Sequence, residues 1–204
     1  MTEIVLATRN SGKVREIRNI LRGIDVKLSG ADDFTCFPDV EEDGKTLEEN
    51  AAKKARVVAL ALKRWALADD SGLEVDYLEG EPGVYSARWA GSGCTYADNN
   101  RKLLRLLRGV PAGGRTARFR CVIALSSPRG KVTCVEGSIE GRIAPRLRGK
   151  NGFGYDPVFI VPRYGKTFAE LSDTTKNRIS HRALALKKAQ KLIIDVTQNL
   201  YSQR

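Results

Sequence analysis

The chain has 204 residues, 42% hydrophobic and 29% charged, enough for one ample core, and its longest apolar runs fall far short of the roughly 20 residues that span a membrane. Its 35 basic and 24 acidic residues leave a net charge of +11, which draws polyanions of every kind. The arginines between Arg101 and Arg148 are scattered over several elements, and no basic helix with interleaved aromatics stands out, so no dedicated nucleic-acid face is expected.

No Pro/Ser/Gly-rich linker, repeat or low-complexity tract divides the chain, which predicts a single domain over residues 1–204. Met1-Thr2-Glu3 leads into only four apolar residues, too few for a signal-peptide core, so the cytoplasm is the expected compartment. Four cysteines at 36, 94, 121 and 134 form no Cys-x-x-Cys pair and share one histidine, which speaks against zinc and disulfides and predicts buried free thiols.

Ile4-Val5-Leu6-Ala7 reads as a buried strand, followed by Thr8-Arg9-Asn10-Ser11-Gly12-Lys13 and a helix with Val14, Ile17, Ile20 and Leu21 on one face. A loop between a strand end and a helix N-terminus presents free N–H groups and the positive end of the dipole to an anion, and Arg9 and Lys13 add full charges. It is not a Walker A loop, having one glycine and Val14 where Ser or Thr would stand. An ordinary solvated turn is the competing reading.

Glu41-Glu42-Asp43-Gly44 comes next, then the capping box Thr46-Leu47-Glu48-Glu49, which opens a helix with Leu47, Ala51, Ala55, Val58, Ala59 and Leu62 in one stripe. Lys53 and Lys54 are adjacent on it, so only one can easily turn toward a site. After the apolar run Trp65-Ala66-Leu67-Ala68, the sequence Asp69-Asp70-Ser71-Gly72 puts two carboxylates side by side, an arrangement that usually needs a cation. Mg²⁺ fits, since it takes few carboxylates and is completed by water and phosphate; a second carboxylate would then come from Glu41 or Glu42. The alternative is a polar turn between strands at about 65–69 and 73–77.

A helix near 95–108 starts at Thr95-x-x-Asp98, and strands near 116–126 and 131–139 flank the turn Ser126-Ser127-Pro128-Arg129-Gly130. Those two strands should be antiparallel, which makes a mixed sheet the expectation. Gly149 to Pro157 packs glycines and two aromatics before a strand at about 157–161; Phe153 or Tyr155 offers a face for a base, or a plug for the core. Lys176 to Arg182 holds the single histidine and donors suited to phosphate or a purine edge, ahead of a helix from about 180 to 200.

Together, Thr8 to Lys13, Asp69-Asp70-Ser71-Gly72-Leu73, Pro82-Gly83-Val84-Tyr85-Ser86-Ala87-Arg88, Gly152-Phe153-Gly154-Tyr155-Asp156-Pro157 and Ile179-Ser180-His181-Arg182 resemble the inosine triphosphate pyrophosphatase family. Order and spacing match over nearly the whole chain, and among bacterial members the dITP/XTP branch. The resemblance implies an α/β fold with an elongated mixed sheet flanked by helices, two lobes with a substrate cleft between them, and a homodimer. It implies Mg²⁺-dependent hydrolysis of ITP, dITP and XTP to the monophosphate and pyrophosphate. It assigns Glu42 and Asp70 to the metal, and Asp70, with Asp69 in reserve, to the catalytic base. Thr8, Arg9, Asn10, Ser11, Gly12, Lys13, Lys54 and Ser71 would hold phosphates. Phe153, Gly154, Tyr155, Asp156, Lys176, His181 and Arg182 would surround the purine. Arg9 departs from the small residue common at its position, which leaves its own role open.

Overall fold

The computed structural model describes residues 2–202. In chain order the elements are β1 (Thr2–Leu6), α1 (Ser11–Ile20), β2 (Val26–Ser29), α2 (Leu47–Leu62), β3 (Trp65–Val75), β4 (Pro82–Gly83), α3 (Tyr96–Leu106), β5 (Thr116–Ser126), β6 (Val132–Ile143), β7 (Phe159–Val161), β8 (Lys166–Thr167), α4 (Asp173–Ile179) and α5 (His181–Ser202). The strands form one sheet in the order β2-β1-β3-β5-β6-β7-β8, with β4 beside β3. β1 lies parallel to β2 and β3, whereas β3 and β4, β6 and β7, and β7 and β8 are antiparallel, so the sheet is mixed as expected.

Helix starts follow their caps. The Asn10 side chain accepts from Lys13 N at 3.1 Å, Thr46 Oγ1 accepts from Glu49 N at 3.1 Å, and Thr95 and Asp98 cap each other's backbone N–H. Each such cap contributes about 1 kcal/mol by satisfying a donor that has no partner within its helix. Lys63 ends α2 in the left-handed region at φ 52°.

The chain divides into two compact units, one of Met1–Asp70, Cys121–Gly137 and Arg182–Arg204, the other of Ser71–Arg120 and Ser138–His181. In the first, Ile4, Leu6, Ile17, Leu67, Ile123 and Leu186 anchor a core drawn from β1, α1, β3, β5 and α5. In the second, Leu73, Leu103, Leu107, Phe119, Phe159 and Phe168 do the same.

One expectation is corrected here. Asp69-Asp70-Ser71-Gly72 is not a turn between two strands but the middle of the 11-residue strand β3. The two carboxylates stay inside the fold because lysines and an arginine neutralise them, and Gly72 lets β4 approach closely: a Cβ there would stand 2.5 Å from Gly83 O. The cysteines are a second correction. They are free thiols, but only Cys121 is buried; Cys36 and Cys134 are exposed.

Candidate active site

In the first unit, β1 delivers the Thr8 to Gly12 loop to the N-terminus of α1, and Lys13, in the first turn of α1, bends back to β3. Lys13 Nζ donates to Asp69 O at 3.3 Å and forms an ion pair with Asp69 Oδ1. From α2, Lys54 Nζ reaches the same strand, donating to Asp69 O at 2.9 Å, Asp70 Oδ1 at 3.1 Å and Glu42 Oε1 at 2.5 Å. Lys53 instead pairs with Asp43 at 2.6 Å. The adjacent lysines therefore part, Lys54 to Asp70 and Glu42 and Lys53 to Asp43.

The aspartates differ as much as the lysines. Asp69 is wholly buried; besides Lys13 it receives Arg182 Nε on Oδ2 at 2.8 Å and the Cys121 thiol at 3.1 Å, and Arg182 is held in turn by Glu16. Burial would push its acidity toward the neutral form, but Arg182 and Lys13 outweigh that and hold the carboxyl well below the usual carboxylate range. Asp70 goes the other way. Its burial raises the pKa against the pull of Lys54 and Lys13, and its Oδ2, buried, has no hydrogen-bond partner among the described residues.

The unpartnered Oδ2 bears on metal binding. Among the described residues no three Asp, Glu, His or Cys side chains gather into a metal cage. Mg²⁺ rarely uses one: one or two carboxylates with substrate phosphate are its usual set, and Glu42 and Asp70, held together by a single ammonium group, fit it. A cavity of about 170 Å³ is lined by Thr8, Arg9, Glu42 and Lys54 with the Phe37 to Val40 segment. The Arg9 guanidinium is turned onto that segment, donating to Phe37 O at 3.1 Å and lying 5.5 Å from the Phe37 ring centre.

In the second unit the Gly149 to Pro157 loop folds on itself around Asp156. Its Oδ2 accepts from Phe153 N at 2.8 Å and from Lys176 Nζ at 2.5 Å, both charged groups being almost fully buried. Lys176 Nζ also stands 4.9 Å from the centre of the Phe153 ring. Gly152 has φ +76°, and a Cβ on it would come within 2.0 Å of Asp156 Oδ2, so only glycine closes this loop. Gly154 O accepts from Asn100 at 2.8 Å. His181 is buried, stacked on Phe119 with ring centres 4.5 Å apart.

Two residues expected near a purine are engaged elsewhere. The Tyr155 hydroxyl donates to Ser86 O at 3.0 Å, and burial pushes its pKa up. The Arg182 guanidinium lies with Asp69 and Glu16, leaving only its backbone for a base. Ser71 is half-buried on β3, and Ser11 is exposed at the start of α1. Glu16 and Asn100 are not singled out in the sequence, and Cys121 and Ser86 carry no site role in it. For Glu16 a signal was present, since an acid three residues after Lys13 and next to Ile17 sits on the inward side of α1.

The Ham1 family model matches residues 4–192. The dITP/XTP pyrophosphatase of Desulforamulus reducens is 53% identical over 191 residues, covering 94% of this chain and 95% of that protein, and that of Bacillus subtilis is 51% identical over 195 residues, covering 95% and 98%. Among solved structures, a HAM1 protein from Coxiella burnetii matches with a TM-score of 0.87 at 44% identity, covering 96% of this chain and all of that one. The Ham1 protein of Staphylococcus aureus matches with a TM-score of 0.84 at 43% identity, covering 95% and 99%. With the family model matched over residues 4–192 and relatives 51–53% identical over nearly their whole length, the chain belongs to the Ham1 family.

Proposed function

We infer that this chain hydrolyses deaminated purine nucleoside triphosphates, ITP, dITP and XTP, to the monophosphate and pyrophosphate, acting as one domain over its length. The names of its relatives support the reaction class. The observation that carries the chemistry is Asp70, a buried carboxylate with one oxygen on Lys54 and the other without a hydrogen-bond partner among the described residues.

In this reading the backbone N–H groups of the Thr8 to Lys13 loop, with Lys13 and Lys54, hold the phosphates, and Ser71 donates one further hydrogen bond. Glu42 and Asp70 would hold Mg²⁺, which when bound adds positive charge beside the phosphates and makes nearby water more acidic. Water attacks the α-phosphorus in line with the leaving pyrophosphate, and its proton passes to the Asp70 carboxylate. Asp69, tied to two cations, stays a carboxylate and positions Lys13.

For the base, Phe153 offers a stacking face, and Lys176, fixed by Asp156, donates toward an oxygen at purine C6, aided by His181 or the Arg182 backbone. Adenine presents an amino group there, which leaves the donors unpaired, a mismatch worth a large discrimination factor. The family resemblance adds a homodimer and a cytoplasmic setting; among the described residues no helix is long and apolar enough to cross a membrane. Pyrophosphate release from ITP, XTP, dITP, GTP and ATP, each with Mg²⁺ and with chelator, tests the reading. Metal-dependent release from ITP, dITP and XTP alone is expected; equal release from ATP would remove the purine argument, and no release from any would remove the reaction.

A further inference from the structure

The exposed side of α1 carries charge that nucleotide hydrolysis leaves unused. Arg15, Arg18 and Arg22 follow one another at helical spacing along α1 and the turn after it, all three exposed. With Arg9 they line a cavity of about 590 Å³, closed on another side by Asp32 and Asp33. Asp33 is mostly spent: its Oδ2 accepts from Gly30 N at 2.7 Å and is 3.9 Å from Arg18. Among the described residues no carboxylate pairs with Arg15 or Arg22.

Arg15 and Arg18 are like charges three residues apart on one helix, with Arg22 in the turn beyond, a row that costs stability unless an anion relieves it. Arginine forks suit phosphate oxygens, which they bind in pairs. From Arg15 to the end of α1 at Ile20 the helix advances about 8 Å, and Arg22 lies in the turn beyond, so one ligand meeting all three must be extended. No aromatic side chain lines the cavity, which gives a nucleobase nothing to stack on and favours a phosphate chain that carries no bases.

We propose that this groove binds condensed inorganic phosphate, a chain of several anhydride-linked units, at a site distinct from that of the nucleotide. Arg9 and Thr8 line both this cavity and the smaller one beside Glu42 and Lys54, so the two anion sites share a wall.

The test is calorimetric titration of the full chain with a medium-length sodium polyphosphate, and with single-stranded oligothymidylate, at two salt concentrations. Wild type is compared with the triple variant Arg15→Gln, Arg18→Gln, Arg22→Gln. Polyphosphate binding is expected to weaken at least tenfold in the variant, with the slope of log K on log salt falling by about two, as loss of three charge contacts requires. ITP hydrolysis and thermal stability are read in parallel and should not fall, since none of the three residues touches the reaction. Equal binding by both proteins, or none by wild type, overturns the proposal. Tighter binding of oligothymidylate overturns the choice of ligand. Absence of ITP hydrolysis from wild type would count against the proposed function and leave this comparison intact.

Discussion

Asp69 and Asp70 begin with the same intrinsic acidity and are driven apart by their partners alone. Asp69 has a cation on each oxygen; Asp70 has one lysine, shared with Glu42. Removing the Asp69 charge leaves Lys13 without its carboxylate and Arg182 with Glu16 alone, so Asp69→Asn should cost about 3–5 kcal/mol in urea unfolding at neutral pH. Because the folded-state pKa of Asp69 is depressed, its contribution is full above the ordinary value near 4 and is lost as pH falls from there toward the lowered pKa. The stability gap between wild type and variant should therefore narrow in acid; a gap constant down to pH 2 would mean that the charge is not what stabilises. Asp70 has the opposite sign. Its pKa is raised, and a base must be ionised, so the acid limb of kcat/KM for ITP should lie above the ordinary carboxylate value of about 4. A limb at or below that value would take Asp70 out of the base role.

At the scale of elements, the loop before β7 works only with glycine at 152. Gly152→Ala would push its methyl group into the Asp156 carboxylate and displace the Lys176 that it holds. The expected result is a KM for ITP raised at least tenfold with a smaller change in kcat; an unchanged KM would separate this loop from base recognition. Apolar stripes made α1, α2 and α5 legible in the sequence, and Thr46 and Thr95 marked the starts of α2 and α3 because a cap acts over three or four residues. β3 was not legible. Asp-Asp-Ser-Gly reads locally as a turn, and only Lys13, Lys54 and Arg182, remote in sequence, let it continue as strand. The same holds for the site: the lysines and carboxylates were legible as chemistry, but which lysine meets which carboxylate depends on tertiary pairing. The engagement of Arg182 with Glu16, 166 residues apart, is such a pairing.

At the scale of the molecule, each unit has its own apolar core, and the +11 charge lies over both. A field of that sign raises the local concentration of a nucleoside triphosphate, and salt screens it. KM for ITP should accordingly rise several-fold between low and physiological ionic strength while kcat changes little; a KM indifferent to salt would mean that the overall field plays no part in substrate capture. In the proposed reaction the buried Asp70 takes the proton from attacking water. The most direct measurement is kcat for ITP in Asp70→Asn beside wild type, with thermal unfolding of both. A fall of about 10²–10⁴-fold with no loss of thermal stability is predicted, since the amide keeps the shape and removes a poorly solvated charge. Activity within tenfold of wild type would contradict it.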